Sequence, residues 1–143
     1  MNLFENGRRF AQAVRCCPPS GEGPPVVHVF MAGASGEFVS VMGKVDTGAF
    51  RTMLSFATAG ALGIEDPASP AAPRGTARTA TNDEFGYYVH RVTVQIAGNS
   101  GEMIDFLLQA AFAERVGRNL FGLDWLGHLC LALDTQAVHF LRG

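Results

Sequence analysis

The tripeptide Asp46-Thr47-Gly48, within the stretch GKVDTGAF, is the first group of residues with an evident chemical use. A positioned carboxylate can take a proton from water and so act as a general base. The same tripeptide is common in turns, since aspartate and glycine both favour tight backbone conformations. The apolar residues on both sides of the tripeptide favour a functional site: a β-like run ends just before Asp46, and the apolar pair at 53–54 follows it.

The elements that would position this loop are mostly strands. The predicted strands are rich in β-branched and apolar residues and are bounded by turn residues; they cover residues 26–32, 37–46, 51–55, 76–81, 85–97 and 102–112, a run from 129, and 138–143. The first two are predicted to form a hairpin that leads into Asp46. The pattern at 102–112 suits either a strand or a helix, and a strand is predicted. Residues 55–64 predict a short helix, which Ser55 can cap and Gly63 can end.

Residues 1–25 are predicted to be an N-terminal tail and a linker. The segment CCPPSGEGPP at 16–25 is rich in proline and glycine, whereas residues 1–15 show a weak helical pattern. Residues 26–143 are predicted to form one domain, which suits a chain of 143 residues. Seventeen glycines and seven prolines, with 48% hydrophobic residues, favour a β-rich fold with a real core over a helical bundle.

Composition and charge exclude several classes of function. The net charge is −2, from 11 basic and 13 acidic residues without a basic block, so nucleic acid is not an expected partner. No apolar run reaches the ~18 residues of a membrane span, so no membrane association is expected. The histidines lack ligand spacing and no glycine-rich phosphate loop is present, so neither a metal nor a cofactor is predicted. Cys16, Cys17 and Cys130 do not make a disulfide framework, which predicts reduced thiols and a cytoplasmic location.

Two segments of the chain resemble a known family. VDTGAFRTMLS resembles the active-site loop of retroviral-type, or retropepsin-like, aspartic proteases, in which Asp-Thr-Gly-Ala precedes an apolar pair. RNLFGLDWLGHLCLALD resembles the later segment of that family, and FGLDWL is similar to the Leu-Gly-x-Asp-x-Leu of its bacterial branch. The resemblance spans residues 26–141. It implies an all-β fold, a closed, barrel-like single lobe with one or two short helices, that acts as a dimeric aspartic endopeptidase.

The resemblance gives each residue of these segments a role. Asp46 would supply one catalytic carboxylate, and the Thr47 hydroxyl would hydrogen-bond the backbone or its counterpart in a second subunit. Gly48 would let the backbone come close, where a Cβ would clash, and Ala49 would line the cleft. The segment predicted to pack beneath the loop and hold it rigid consists of Leu120, Phe121 and Gly122.

The residues that follow Gly122 have structural rather than catalytic roles in this interpretation. A short helical turn is predicted to begin near Asp124, whose carboxylate can cap it. Phe121 and Trp125 are predicted to anchor the core rather than to hold a ligand.

The hairpin at 76–97 would be the flap that closes over the substrate and excludes water. Its tip is predicted at 81–86, and the candidates for substrate contact are Thr81, Asn82 and Tyr87. Tyr87 suits equally a strand aromatic that packs in the core.

The family's mechanism needs two carboxylates, and the chain has one clear Asp-Thr-Gly. Asp134-Thr135 imitates the motif, but Gln136 stands where glycine is needed, and too little chain follows for a second lobe. A turn before the last strand is the better interpretation of Asp134. The sequence therefore predicts a homodimer in which each subunit contributes one Asp46 and whose substrates are peptides or proteins.

An alternative from a different class stays open at this point. It is a catalytically weak or inactive retropepsin-fold module that binds peptides or dimerises. Phe50 and Arg51 support it, because they add bulk and charge where members of the family commonly have smaller or acidic residues. The predicted hairpin also lacks the glycine-rich tip of the viral enzymes.

Overall fold

The regular elements of the fold are mostly strands, which form in runs of β-branched and apolar residues bounded by turn residues. The structure is a computed structural model, and it describes residues 4–5, 8–9, 12–15, 25–97, 103–133 and 137–142. One α-helix, α1, covers Phe56–Ala61, and a 3-10 helix covers Leu123–Gly127. The strands are β1 (Phe4–Glu5), β2 (Arg8–Arg9), β3 (Gln12–Arg15), β4 (Val26–Ala32), β5 (Phe38–Val45), β6 (Met53–Ser55), β7 (Arg74–Arg78), β8 (Glu84–Ala97), β9 (Met103–Ala113), β10 (Leu120–Phe121), β11 (Leu129–Leu133) and β12 (Ala137–Arg142).

Seven strands form one sheet that closes on itself. Their order is β4-β5-β10-β6-β9-β8-β7, and an additional pairing between β4 and β8 completes a ring of six strands, with β7 attached outside it. The predicted hairpin of β4 and β5 is confirmed, with His28 opposite Met42. Two of the strand pairings in this sheet are parallel, namely β10 with β5 and β6 with β9. The prediction of a closed, barrel-like all-β lobe is therefore confirmed.

The core lies inside this ring and follows the period-2 alternation of its strands. Each strand points every second side chain inward, and these buried side chains include Val27, Val29, Met31, Val92, Val94, Ile96, Ile104 and Leu108. The ambiguous segment is a strand, β9, as predicted. Helix α1 also forms where predicted, because the Ser55 hydroxyl accepts a hydrogen bond from the Thr58 N–H at 3.1 Å and caps the first turn.

The hairpin of β7 and β8 is present, but its tip differs from the prediction. Its strands pair from Arg74 opposite Tyr88 to Arg78 opposite Glu84, so residues 84–86 of the predicted tip lie in β8. The tip is the turn 79–83, closed by a hydrogen bond from the Thr79 N–H to the Asp83 carbonyl at 2.9 Å. Asn82 has φ of 69° there, a conformation that asparagine tolerates better than most residues.

A second sheet carries β11, β12 and β3, in that order. β3 pairs with β12, with Val14 opposite Val138, so the weak helical pattern of residues 1–15 was misleading at 12–15. Most of the predicted linker, with Cys16 and Cys17, lies outside the described residues, and so does Asp134. Within the described part of the chain, no helix is both long and apolar enough to cross a bilayer.

Candidate active site

The loop that carries Asp46 begins at the end of β5 and is held there by β10. The Asp46 N–H donates to the Phe121 carbonyl at 2.9 Å, and the Lys44 N–H donates to the Asn119 carbonyl at 2.9 Å. β10 lies between β5 and β6, the strands that enter and leave the loop, with Leu120 opposite both Lys44 and Met53. The short strand therefore fixes the two ends of the loop relative to each other.

Gly122 lies against the backbone of the loop at a distance that excludes a side chain. A Cβ on Gly122 would lie 2.7 Å from the Ala49 carbonyl oxygen and 2.7 Å from the Arg51 carbonyl carbon. The next residue, Leu123, donates its N–H to the same Ala49 carbonyl at 2.8 Å. The structure thus brings the two predicted segments, 46–49 and 120–122, into direct contact.

A buried polar pair, Thr52 and Asp124, ties the loop to the 3-10 helix. Thr52 is fully buried, at 0% exposure. Its N–H donates to Asp124 Oδ2 at 2.8 Å, and its hydroxyl donates to Asp124 Oδ1 at 2.8 Å. The Gly122 N–H donates to the Thr52 hydroxyl oxygen at 3.2 Å. Both carboxylate oxygens are therefore engaged by donors 72 residues away in sequence.

The predicted capping role of Asp124 was wrong. The N-cap of the 3-10 helix is Gly122, and no side chain caps it. Asp124 instead accepts from Thr52, because this donor pair is buried and needs an acceptor. Sequence reasoning missed Thr52 entirely, since a single threonine between Arg51 and Met53 carries no local signal for a partner so far along the chain.

Asn119 is a second connection that the sequence did not reveal. Its side-chain amide donates to the Met42 carbonyl at 3.0 Å, and its side-chain oxygen accepts from the Ser55 N–H at 2.9 Å and from the Thr58 hydroxyl at 3.1 Å. One side chain thereby joins β5, β6 and α1. Asparagine suits this position because its amide is both donor and acceptor.

The Asp46 carboxylate has one oxygen held by the loop and one beside a cation. Oδ1 accepts from the Gly48 N–H at 2.9 Å, and Oδ2 lies 3.8 Å from Lys44 Nζ. The side chain of Asp46 is 26% exposed, so water can reach it. Thr47 is exposed, and its hydroxyl has no hydrogen-bond partner among the described residues.

A small depression lies beside Asp46. Apolar side chains form most of its lining; they include Val45, Phe121, Leu123, Trp125, Leu126 and Leu131. As predicted, Phe121 and Trp125 are buried core anchors, and their rings stack with centroids 4.6 Å apart. Leu126 and Phe50 are exposed, Phe50 to 88%. The carboxylate therefore stands at the edge of an apolar surface.

The hairpin of β7 and β8 connects to the site through Tyr87. The Arg51 guanidinium lies 5.4 Å from the centre of the Tyr87 ring, a cation–π distance. Tyr87 is half-buried, and its ring packs on the backbone of Gly75 in the opposite strand. Tyr87 therefore contacts its own hairpin on one side and the loop residue Arg51 on the other. This half-buried position does not decide between a substrate contact and a core aromatic.

The other two flap candidates, Thr81 and Asn82, are held within the tip. The Thr81 hydroxyl donates to Asp83 Oδ2 at 3.1 Å, and Arg78 donates to the Asn82 side-chain oxygen at 3.2 Å. Asp83 also lies 3.6 Å from Arg115, which follows β9. The tip is thus anchored at one point to the turn that leads into Leu120.

The chemistry that these residues provide is that of a carboxylate. Within the described ranges no group of three or more His, Cys, Asp or Glu side chains could hold a metal ion. What the arrangement offers is one partly exposed carboxylate on a braced loop, next to an apolar surface. A carboxylate so placed can accept a proton from water.

The closed barrel, the braced Asp-Thr-Gly loop and the adjacent hairpin define the retropepsin-like fold. A crystal structure of a retropepsin-like aspartic protease from Rickettsia conorii matches the chain with a TM-score of 0.53 and 16% sequence identity, over 90% of this chain and 87% of that one. At this identity the likeness shows the fold and nothing finer.

Two further solved structures are similar at lower TM-scores. EIAV protease in complex with the inhibitor HBY-793 gives 0.45 at 18% identity, over 74% of this chain and 88% of that one. The retroviral protease-like domain of Ddi1 from Leishmania major gives 0.36 at 21% identity, over 80% of this chain and 91% of that one. No protein-family model and no curated protein matches the chain.

Proposed function

We propose that the chain is an aspartic endopeptidase whose active site forms across a homodimer. The observation that carries the proposal is the water-accessible carboxylate of Asp46 on a loop braced by Leu120–Leu123, within a retropepsin-like fold. A braced loop matters because catalysis by positioning requires a fixed geometry, and small displacements of the reacting groups cost large factors in rate.

In this proposal the second carboxylate comes from a second copy of the chain. Among the described residues that line the depression, Asp46 is the one acid. Asp124 is the nearest acid along the later segment, but both of its oxygens accept hydrogen bonds from Thr52. A two-fold axis next to Asp46 would place two equivalent carboxylates face to face. The exposed Thr47 would then be free to hydrogen-bond across the same axis.

Two carboxylates that share one site do not both ionise, so the pair holds one proton between them, as is known for aspartic-protease dyads. The ionised Asp46 takes a proton from water while the water oxygen bonds to the peptide carbonyl carbon. The protonated Asp46 gives its proton to the carbonyl oxygen. The resulting tetrahedral diol then collapses, with a proton passing to the leaving nitrogen as the C–N bond breaks. No covalent bond between enzyme and substrate forms in these steps.

The proposal is tested by cleavage of a peptide library by purified protein, from acidic to neutral pH, with and without pepstatin. Asp46→Asn should abolish cleavage, and Asp134→Asn should leave most of it. The reverse pattern would overturn the assignment of Asp46.

Subunit mixing tests whether the two carboxylates come from different chains. Wild-type protein is mixed with Asp46→Asn protein at constant total concentration. If each site needs two intact subunits and subunits exchange freely, the remaining activity should be proportional to the square of the wild-type fraction. A loss in simple proportion to that fraction would place both catalytic groups in one chain.

A second candidate function is peptide binding without cleavage, and one observation favours it. Lys44 lies 3.8 Å from Asp46 and can neutralise the carboxylate that catalysis needs. A well-formed dimer that binds peptides and cleaves none of them at any pH would establish this candidate. Cleavage that depends on Asp46 would exclude it.

A further inference from the structure

Lys44 is the single lysine among the 143 residues of the chain, and it lies beside the proposed catalytic carboxylate. It precedes Asp46 by two positions, so the strand alternation puts both side chains on the same face. Val41 and Val45, on the opposite face of β5, are buried, whereas the Lys44 side chain is 35% exposed. Its ammonium group is therefore partly open to solvent and lies 3.8 Å from the Asp46 carboxylate.

The charges of Lys44 and Asp46 balance each other in one subunit but not in a dimer. In one subunit, one Lys44 faces one Asp46. In a dimer, two Lys44 ammonium groups would face two Asp46 carboxyls that carry a single negative charge, because the pair holds one proton. One positive charge at the reaction centre is then left without a partner. Arg51, whose guanidinium lies over Tyr87, adds a further positive charge to the same loop.

We propose that Lys44 binds an acidic side chain of the substrate next to the scissile bond, so that the protein selects peptides with Asp or Glu beside the cut. This inference rests on the proposed protease function and gives its substrate class. The carboxylate of the substrate would pair with the Lys44 ammonium group, which lies 3.8 Å from Asp46 Oδ2 in the single subunit, while Asp46 stays in place for the reaction. An amide instead of the substrate carboxylate could accept a hydrogen bond but would leave the positive charge unbalanced.

The expected effect is modest, because Lys44 is partly exposed and water screens its charge. Exposed ion pairs change affinity by up to about fivefold. We therefore expect a peptide with Glu beside the cut to be cleaved with a kcat/KM about twofold to fivefold higher than the peptide with Gln at the same position. The preference should shrink as salt is added.

The test uses peptide pairs that differ by Glu against Gln at each position around the cut, with the full chain and three variants. Lys44→Met should equalise the two peptides of the sensitive pair, and Lys44→Arg should keep the preference. Arg91→Met is the matched control, since Arg91 is an exposed cation of β8 that faces Gln109 in register. It should leave the preference unchanged.

Two results would overturn the inference while leaving the protease function intact. One is equal cleavage of every Glu and Gln pair by the wild-type protein. The other is a Glu preference that persists in Lys44→Met, or that Arg91→Met removes to the same extent. Either result would show that Lys44 does not bind the acidic side chain.

A binding measurement separates failure of the inference from failure of the proposed function. Peptides with a reduced, uncleavable bond and either Glu or Gln beside it are titrated against wild-type protein and Lys44→Met. Tighter binding of the Glu peptide that is lost in Lys44→Met supports the role of Lys44, even if no substrate is cleaved. Equal binding of both peptides to the wild-type protein overturns it.

Discussion

Replacement of the buried Thr52 by valine tests whether the contact between the loop and the 3-10 helix holds the site together. Valine keeps the shape of threonine and removes the hydroxyl. That hydroxyl donates to Asp124 Oδ1 at 2.8 Å and accepts from the Gly122 N–H at 3.2 Å. Thr52→Val therefore leaves a buried backbone N–H without its acceptor and a carboxylate oxygen without a donor.

The magnitude follows from these two losses. A hydrogen bond to a charged acceptor contributes about 1.5–3 kcal/mol, and a buried donor left unsatisfied costs about 1–3 kcal/mol. The methyl group gained by valine offsets part of this, about 0.8 kcal/mol. We expect Thr52→Val to lower the free energy of unfolding by about 3 kcal/mol, with cleavage activity falling as the loop loses its brace.

The assay is equilibrium unfolding in urea at one fixed protein concentration, since a dimer's stability depends on concentration. Thr93→Val is the matched control, because Thr93 is a half-buried residue of β8. It should change the stability by less than about 0.5 kcal/mol.

A double-mutant cycle with Asp124→Ala should show a coupling above about 1 kcal/mol, because the two residues share their hydrogen bonds. A loss below about 1 kcal/mol for Thr52→Val, or additive effects in the cycle, would refute the reasoning.

Three further substitutions follow from local geometry. Gly122→Ala should destabilise by more than about 1 kcal/mol and reduce cleavage, because its Cβ would lie 2.7 Å from the Ala49 carbonyl oxygen; unfolding and peptide cleavage measure both effects. Gly60→Ala is its control: Gly60 lies in α1 with open space around it, so alanine should stabilise by about 0.5–1 kcal/mol. Ser55→Ala should cost about 1 kcal/mol, because it removes the acceptor for the Thr58 N–H; unchanged stability would contradict the cap.

The parts of the fold that follow from local patterns were predictable from the sequence. Alternation marked β8, apolar runs bounded by turn residues marked β4 and β5, and Ser55 marked the start of α1, because these signals depend on neighbouring residues alone. The pattern of β9 suited a helix as well, so its sequence alone left the choice open. The predicted tip of the hairpin of β7 and β8, residues 81–86, lay too far toward the C-terminus. In the turn 79–83 the Thr79 hydroxyl accepts from the Asp83 N–H at 3.1 Å and lies 2.9 Å from the Thr81 hydroxyl, and such threonine contacts are a weaker sequence signal than glycine or proline.

The candidate site was predictable in its motifs and not in its supports. The Asp-Thr-Gly loop stood out because apolar residues flank it on both sides, and the segment 120–122 stood out through its resemblance to the later segment of retropepsin-like proteases. The roles of Thr52, Asn119 and Asp124 depend on contacts between residues 61 to 77 positions apart. No window of sequence contains both partners, so Asp124 was assigned to the nearest helix start, although its donors lie at Thr52.

The site therefore has two groups of residues that should respond differently to substitution. Beneath the loop, Thr52, Gly122 and Asp124 make buried contacts, so their replacement should lower stability and activity together. Above it, Asp46 and Lys44 are partly exposed, and their ion pair contributes little to stability, as is usual for pairs that water screens. Replacing either should change cleavage while leaving unfolding nearly unchanged. Such a separation is expected of a catalytic centre built on a rigid support; an ordinary structural turn would show parallel losses throughout.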